Sequence, residues 1–129
     1  MKPRTIWKVA RPAGSQEAVS LKDASGLTVG YVLGYWTRAP VGGLLCFPSR
    51  SLARRFAWLY GRARPGEKVA VYKGAGQHPV PLPDRYLVDS RLSYREARRL
   101  WDGVSVAKGI AWPMGTVAYR HIKLITRDA

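Results

Sequence analysis

Cysteine is almost absent: Cys46 stands alone in 129 residues. No intrachain disulfide can form, and nothing in the chain calls for an oxidising compartment. Histidine occurs only at His78 and His121, and neither Cys-x-x-Cys nor His-x-x-x-His spacing appears. No metal site is therefore expected. No apolar run reaches membrane-spanning length. The start, Met1 to Lys8, lacks the apolar stretch of a signal peptide. A cytosolic location is the expectation. Carboxylates are scarce as well, 8 against 22 Lys+Arg, and none lies between Asp23 and Glu67.

What is present is positive charge and apolar bulk. The net charge of +14 repels itself unless an anionic partner is bound. Arginine supplies most of it and suits bidentate phosphate contacts. Nucleic acid, DNA or RNA, is the first candidate partner, an anionic membrane surface the second and an acidic protein the third. An apolar content of 47% excludes a disordered chain. The length fits a single domain over residues 1–129 with a real core.

The stretch from Ser49 to Arg64 reads as a helix, with Ser49 or Ser51 as its cap and Gly61 as its end. Its periodicity puts Leu52, Ala53, Phe56, Ala57, Leu59 and Tyr60 on an apolar arc. Arg54, Arg55, Trp58 and Arg62 fall opposite. A tryptophan among arginines suits base stacking flanked by phosphate pairing. Arg50 and Arg64 extend this expected nucleic-acid surface. The alternative is that Trp58 packs beneath a loop and the arginines form a solvated face.

Alternation predicts strands at Thr5–Ala10, Ala18–Leu21, Leu27–Trp36 and Leu44–Phe47 before that helix. In the third, alternate glycines leave either a shallow groove or a twisted strand. Strands at Glu67–Lys73 and Arg85–Val88 follow, separated by a glycine- and proline-rich loop over Gly74–Pro83. The Ser93-Tyr94-Arg95-Glu96 capping box opens a second helix, running to Asp102 and stopped by Gly103. Arg95, Arg98 and Arg99 make it a secondary basic surface, partly neutralised by Arg98–Asp102 and Glu96–Arg99 pairs. The last strand, Thr116–Thr126, changes phase midway, which predicts a bulge near Arg120 or His121. The order ββββ-α-ββ-α-β argues for an α+β fold: a mainly antiparallel, strongly bent sheet or half-barrel carrying two helices.

Catalytic motifs are thin. Gly74-Ala75-Gly76-Gln77-His78 lacks the lysine and helix of a phosphate loop, and no cofactor is expected. A Cys46–His78–Asp84 triad can be written down, but Cys46 sits in an apolar strand where a thiol is inert. A metal-free nuclease would use His78 and His121 as acid and base, with Lys73 or Arg85 stabilising the phosphorane.

Tyr31 to Ala57 carries the step Gly34-Tyr35-Trp36, a turn from Pro40 to Gly43 and an apolar strand ending at Phe47. A helix with Ser49, Ala53 and Phe56 spaced as Ser-x-x-x-Ala-x-x-Phe follows. This resembles a pattern in small uncharacterised proteins of phages and archaeal viruses. Trp112 to Val117 and Ile122 to Ile125 look like the same proteins' closing strand. The resemblance implies a viral or mobile-element origin, hence the host cytoplasm, and carries over no catalytic residue. The leading expectation is a non-enzymatic, phosphate-directed nucleic-acid-binding protein of low sequence specificity. The alternatives are an interaction or virion structural protein docking on an acidic partner, and the histidine nuclease.

Overall fold

A computed structural model of the chain describes residues 2–21, 29–83, 94–102 and 112–128. Seven strands and two helical segments follow in order: β1 (Arg4–Pro12), β2 (Glu17–Val19), β3 (Gly30–Val32), β4 (Trp36–Arg38), β5 (Leu44–Cys46), α1 (Arg50–Ala63), β6 (Ala70–Val80), α2 (Tyr94–Trp101) and β7 (Val117–Arg127). All pairings are antiparallel, in the order β3-β2-β1-β6-β7-β4, with β5 also on β7.

The sheet nearly closes on itself. Its two ends, β3 and β4, are joined by a turn in which Tyr35 N–H donates to Val32 at 3.1 Å. Trp7 of β1 and Phe47, just after β5, exchange two hydrogen bonds of 2.8 Å, so β1, β6, β7 and β5 form a ring. Ile6, Tyr31, Tyr72, Ile122 and Leu124 fill its interior. Lys8 also points inward and is buried; its ammonium donates to the Leu45 carbonyl at 2.6 Å and lies 5.7 Å from the Tyr31 ring. Such partners offset the cost of removing a charge from water.

The expected class, α+β with a mainly antiparallel and strongly bent sheet, is what the chain forms. The expectation of two helices on that sheet is corrected to one. Among the described residues it is α1 that packs along it, against β1 and β6. Ala53 and Tyr60 are buried there with Val9, Phe47 and Val71, and Leu52, Phe56 and Ala57 pack beside them. α2 has about two turns. Its Trp101 ring lies so close to Gly42 that a β-carbon there would collide with it.

Several boundaries move for physical reasons. Ser49 caps α1, accepting from Leu52 N–H at 3.3 Å, but the helix runs past Gly61 to Ala63, since packing on the sheet overrides the local cost of glycine. Leu59 leaves the expected apolar arc for solvent. The long strand ending at Trp36 is two strands and a turn, because Gly34 takes φ 88° and reverses the chain. No groove of close approach forms there: a β-carbon on Gly30 or Gly34 would meet nothing.

The expected loop after Lys73 is instead the continuation of β6. Gly74 lies against the Lys123 carbonyl, and a β-carbon on Gly76 would stand 2.7 Å from the Tyr119 ring. These glycines permit close strand approach rather than a turn. A register shift does occur, but between Lys73 and Gly74, leaving Ile125 of β7 as the extra residue. At Arg120 the strand instead changes partner, from β4 to β5, with no inserted residue. The proposed strand Arg85–Val88, the cap residue Ser93 and Gly103 lie outside the described residues.

Candidate functional site

Three regions carry the chemistry that the sequence points to, and the first is the solvent side of α1. Asp128, just beyond β7, is tied to the sheet by its N–H, which donates to Val71 at 2.7 Å. Its carboxylate, only 12% exposed, is met by Arg50 Nη2 at 2.9 Å and by Arg54 Nε at 3.0 Å. The hydrogen bond from Arg50, seconded by Arg54, holds this carboxyl below the usual carboxylate range. Two of the expected phosphate-binding arginines are therefore occupied by an acid from the far end of the chain.

Arg64 is held as well. Its guanidinium lies 4.8 Å from the Tyr60 ring centroid and donates to the Tyr60 hydroxyl, which in turn donates to Glu67 at 2.8 Å. Arg55 and Arg62 have no ion pair among the described residues. Arg62 stacks over Trp58 at 4.7 Å, and Trp58 is 59% exposed. Trp58 is thus on the surface, not beneath a loop. Arg95, Arg98 and Arg99 of α2 are exposed, and the expected Arg98–Asp102 pair does not form. Glu96 has no described side chain.

The second region is the part of the sheet's outer face that α1 leaves bare. Paired residues in an antiparallel ladder share a face. The register therefore sets Thr5, Ala75, Lys123 and Trp36 in one row, and Gln77, His121 and Arg38 in the next. Lys123 lies 5.1 Å from the Trp36 ring, and Lys73 lies 5.7 Å from Trp7, its ladder partner. Trp36 is 40% exposed and Tyr35 69%. Sequence reasoning missed this surface. The only signal was the density of aromatic and basic residues from Tyr35 to Arg38, which a continuous strand disguised.

The third region is the histidine pair. The rings of His78 and His121 stand edge to face, 5.5 Å between centroids. His78 takes a left-handed backbone, φ 59°, between the paired residues Gln77 and Pro79. Burial, then His78, Arg38 and Arg120, push His121 below the ordinary histidine range. Its Nδ1 is buried without a partner. Beyond Arg38 a groove of about 610 Å³ opens, lined by Gly42, Val80, Arg98, Trp101, Arg120 and the acidic Asp102. Lys73 belongs to the Trp7 contact, so Arg38 and Arg120 are the cations at the histidines, and Arg85 is outside the described residues. Cys46 is buried and its thiol is pushed up to about 12, mainly by desolvation, which argues against a thiolate nucleophile. Asp84 of the written triad is outside the described residues. Among the described residues, no three His, Cys, Asp or Glu side chains gather as a metal site, and no helix is long and apolar enough to cross a membrane.

This electrostatic arrangement has a direct readout. His121 should titrate by NMR below the ordinary histidine pKa of about 6.5. His78→Ala and Arg38→Ala should each raise that value, since each removes a charge or dipole that opposes protonation. A value at or above the ordinary one would place His121 in open solvent, away from the pair.

No protein-family model, curated protein or solved structure matches the chain.

Proposed function

We propose that the protein binds nucleic acid through phosphates with little sequence specificity. The observation that carries this reading is the Trp58–Arg62 stack: an exposed indole, one face under a guanidinium, beside Arg55, which has no ion pair among the described residues, in a chain of net charge +14. An arginine that covers an indole still offers its N–H edge to phosphate. The indole's other face suits a base or a sugar. The described residues hold no recognisable base-reading module, so phosphate contacts supply affinity rather than sequence choice. The viral or mobile-element origin suggested by the residue pattern, and a host-cytoplasmic location, belong to the same proposal.

A second reading has its own support. Leu59, 49% exposed, adjoins Trp58. Tryptophan and arginine are enriched at protein hot spots, so this face could also hold an acidic protein. The proximity of His78, His121, Arg38 and Arg120 supports a third, metal-free phosphodiester cleavage.

Salt titration tests the first reading. Arg55→Ala with Arg62→Ala should lower the slope of log affinity against log salt by about 1.4–1.8, from roughly 0.7–0.9 per phosphate contact. Arg95→Ala with Arg99→Ala removes the same charge and should lower it less. Equal changes would describe a diffuse polycation. A wild-type chain without salt-sensitive binding would end the reading, and a complex surviving nuclease treatment would favour the protein partner. Cleavage of the oligonucleotide by wild type, lost in His121→Ala, would favour the nuclease.

A further inference from the structure

The bare part of the sheet's outer face differs from the α1 surface in one respect that matters for a polyanion. On α1, Asp128 occupies Arg50 and Arg54. None of the residues that the register places on the bare face is acidic: Thr5, Lys73, Ala75, Gln77, His121, Lys123, Trp36 and Arg38, with Trp7 at its border, partly buried against the cluster beneath α1. Its cations are ordered rather than scattered. Lys123 sits against one side of Trp36 and Lys73 against Trp7. The two tryptophans lie on β4 and β1, three strand spacings apart and offset by two residues along the strand, about 16 Å. A few nucleotides span that distance.

Resting on the nucleic-acid reading above, we propose that this face is a track for single-stranded nucleic acid. Trp36 stacks a base on the ring side that Lys123 leaves free, with Tyr35 beside it at the strand's entry. Lys123, Arg38 and Lys73 neutralise the phosphates. A duplex is a poor fit, because it shows a protein only base edges and hides the base faces. Exposed indole and phenol rings have value to a ligand whose bases are unstacked. An acidic peptide would use the cations but leaves the aromatic rings without stacking partners. The flanking His121 is held neutral near pH 7 by its burial and its neighbours His78, Arg38 and Arg120, so it adds no charge to the track there.

The experiment is fluorescence anisotropy on the full chain, with oligothymidylate and with a duplex of the same length. Wild type should bind the single strand more tightly. Trp36→Ala should weaken single-strand binding roughly tenfold or more while leaving duplex binding nearly unchanged. Trp36→Phe should restore most of the loss, which a purely structural defect would not predict, and thermal melts check that each variant is folded. Arg38→Ala should lower the single-strand salt slope by about 0.7. If a folded Trp36→Ala shows no single-strand defect, the track is wrong; should that variant not fold, an unchanged single-strand salt slope in Arg38→Ala overturns it instead. The α1 reading still stands in that case if Arg55→Ala with Arg62→Ala lowers the slope. Equal losses on both ligands would overturn the single-strand assignment, as would polyglutamate competing as well as oligothymidylate at equal charge. No binding to either ligand at low salt would remove both proposals together.

Discussion

Ile122→Ala should destabilise the protein by about 2–5 kcal/mol, the range for a buried aliphatic cut to alanine. Trp58→Ala should cost under about 1 kcal/mol, the scale of an exposed cation–π contact. Ile122 is 0% exposed and belongs to the interior cluster with Ile6, Tyr72 and Leu124. It pairs with Gly76 on one side and Thr37 on the other, so its side chain sits where β6, β7 and β4 enclose the ring's interior. Gly76, its ladder partner, has no side chain to move into the vacated volume. Trp58 is turned to water and touches mainly Arg62. Chemical denaturation at constant m-value measures both. Similar losses would put Trp58 in the core and remove the surface on which the proposed function rests.

Asp128→Asn should strengthen salt-dependent binding while weakening the tie between α1 and the end of β7. The carboxylate holds Arg50 and Arg54 at 2.9 and 3.0 Å. Neutralising it loosens its hold on both guanidiniums, and the salt slope should rise by up to about 1.4–1.8. Glu17→Gln makes the same change in net charge at an exposed site on β2, and should move the slope little. Equal effects would mean that only total charge matters. The same substitution has a pH signature. The folded-state pKa of Asp128 is depressed, so its contribution is present at neutral pH and is lost as pH falls through that depressed value, below the usual carboxylate range. Wild type should lose stability along that acid limb, and Asp128→Asn should lack that component. An unchanged acid unfolding profile would show that the ion pairs do not hold in solution.

Sequence alone determined what depends on near neighbours. The Ser49 cap, the apolar stripe through Ala53, Phe56 and Tyr60, and the outward Trp58 all follow from residues within one or two helical turns. The strands around Ile6 and Leu44 were legible because alternation or a short apolar run needs no distant partner. Net charge was legible because it is a sum. Tertiary structure decided the rest, and in each case through residues far apart in the chain. Asp128 reaches back 78 residues to Arg50 and 74 to Arg54. A local charge count could not show that two of the five expected arginines of the first helix were already paired. β6 runs on through Gly74 and Gly76 because β7 passes close over them; read locally, the same glycines spell a loop. His78 meets His121, and Lys123 meets Trp36, only through strand register. Register is set when the ring closes around its buried side chains, because a slip of one residue would turn Ile122 and Leu124 out to water. Short-range periodicity is a property of the chain, whereas which strands pair is a property of the core they share.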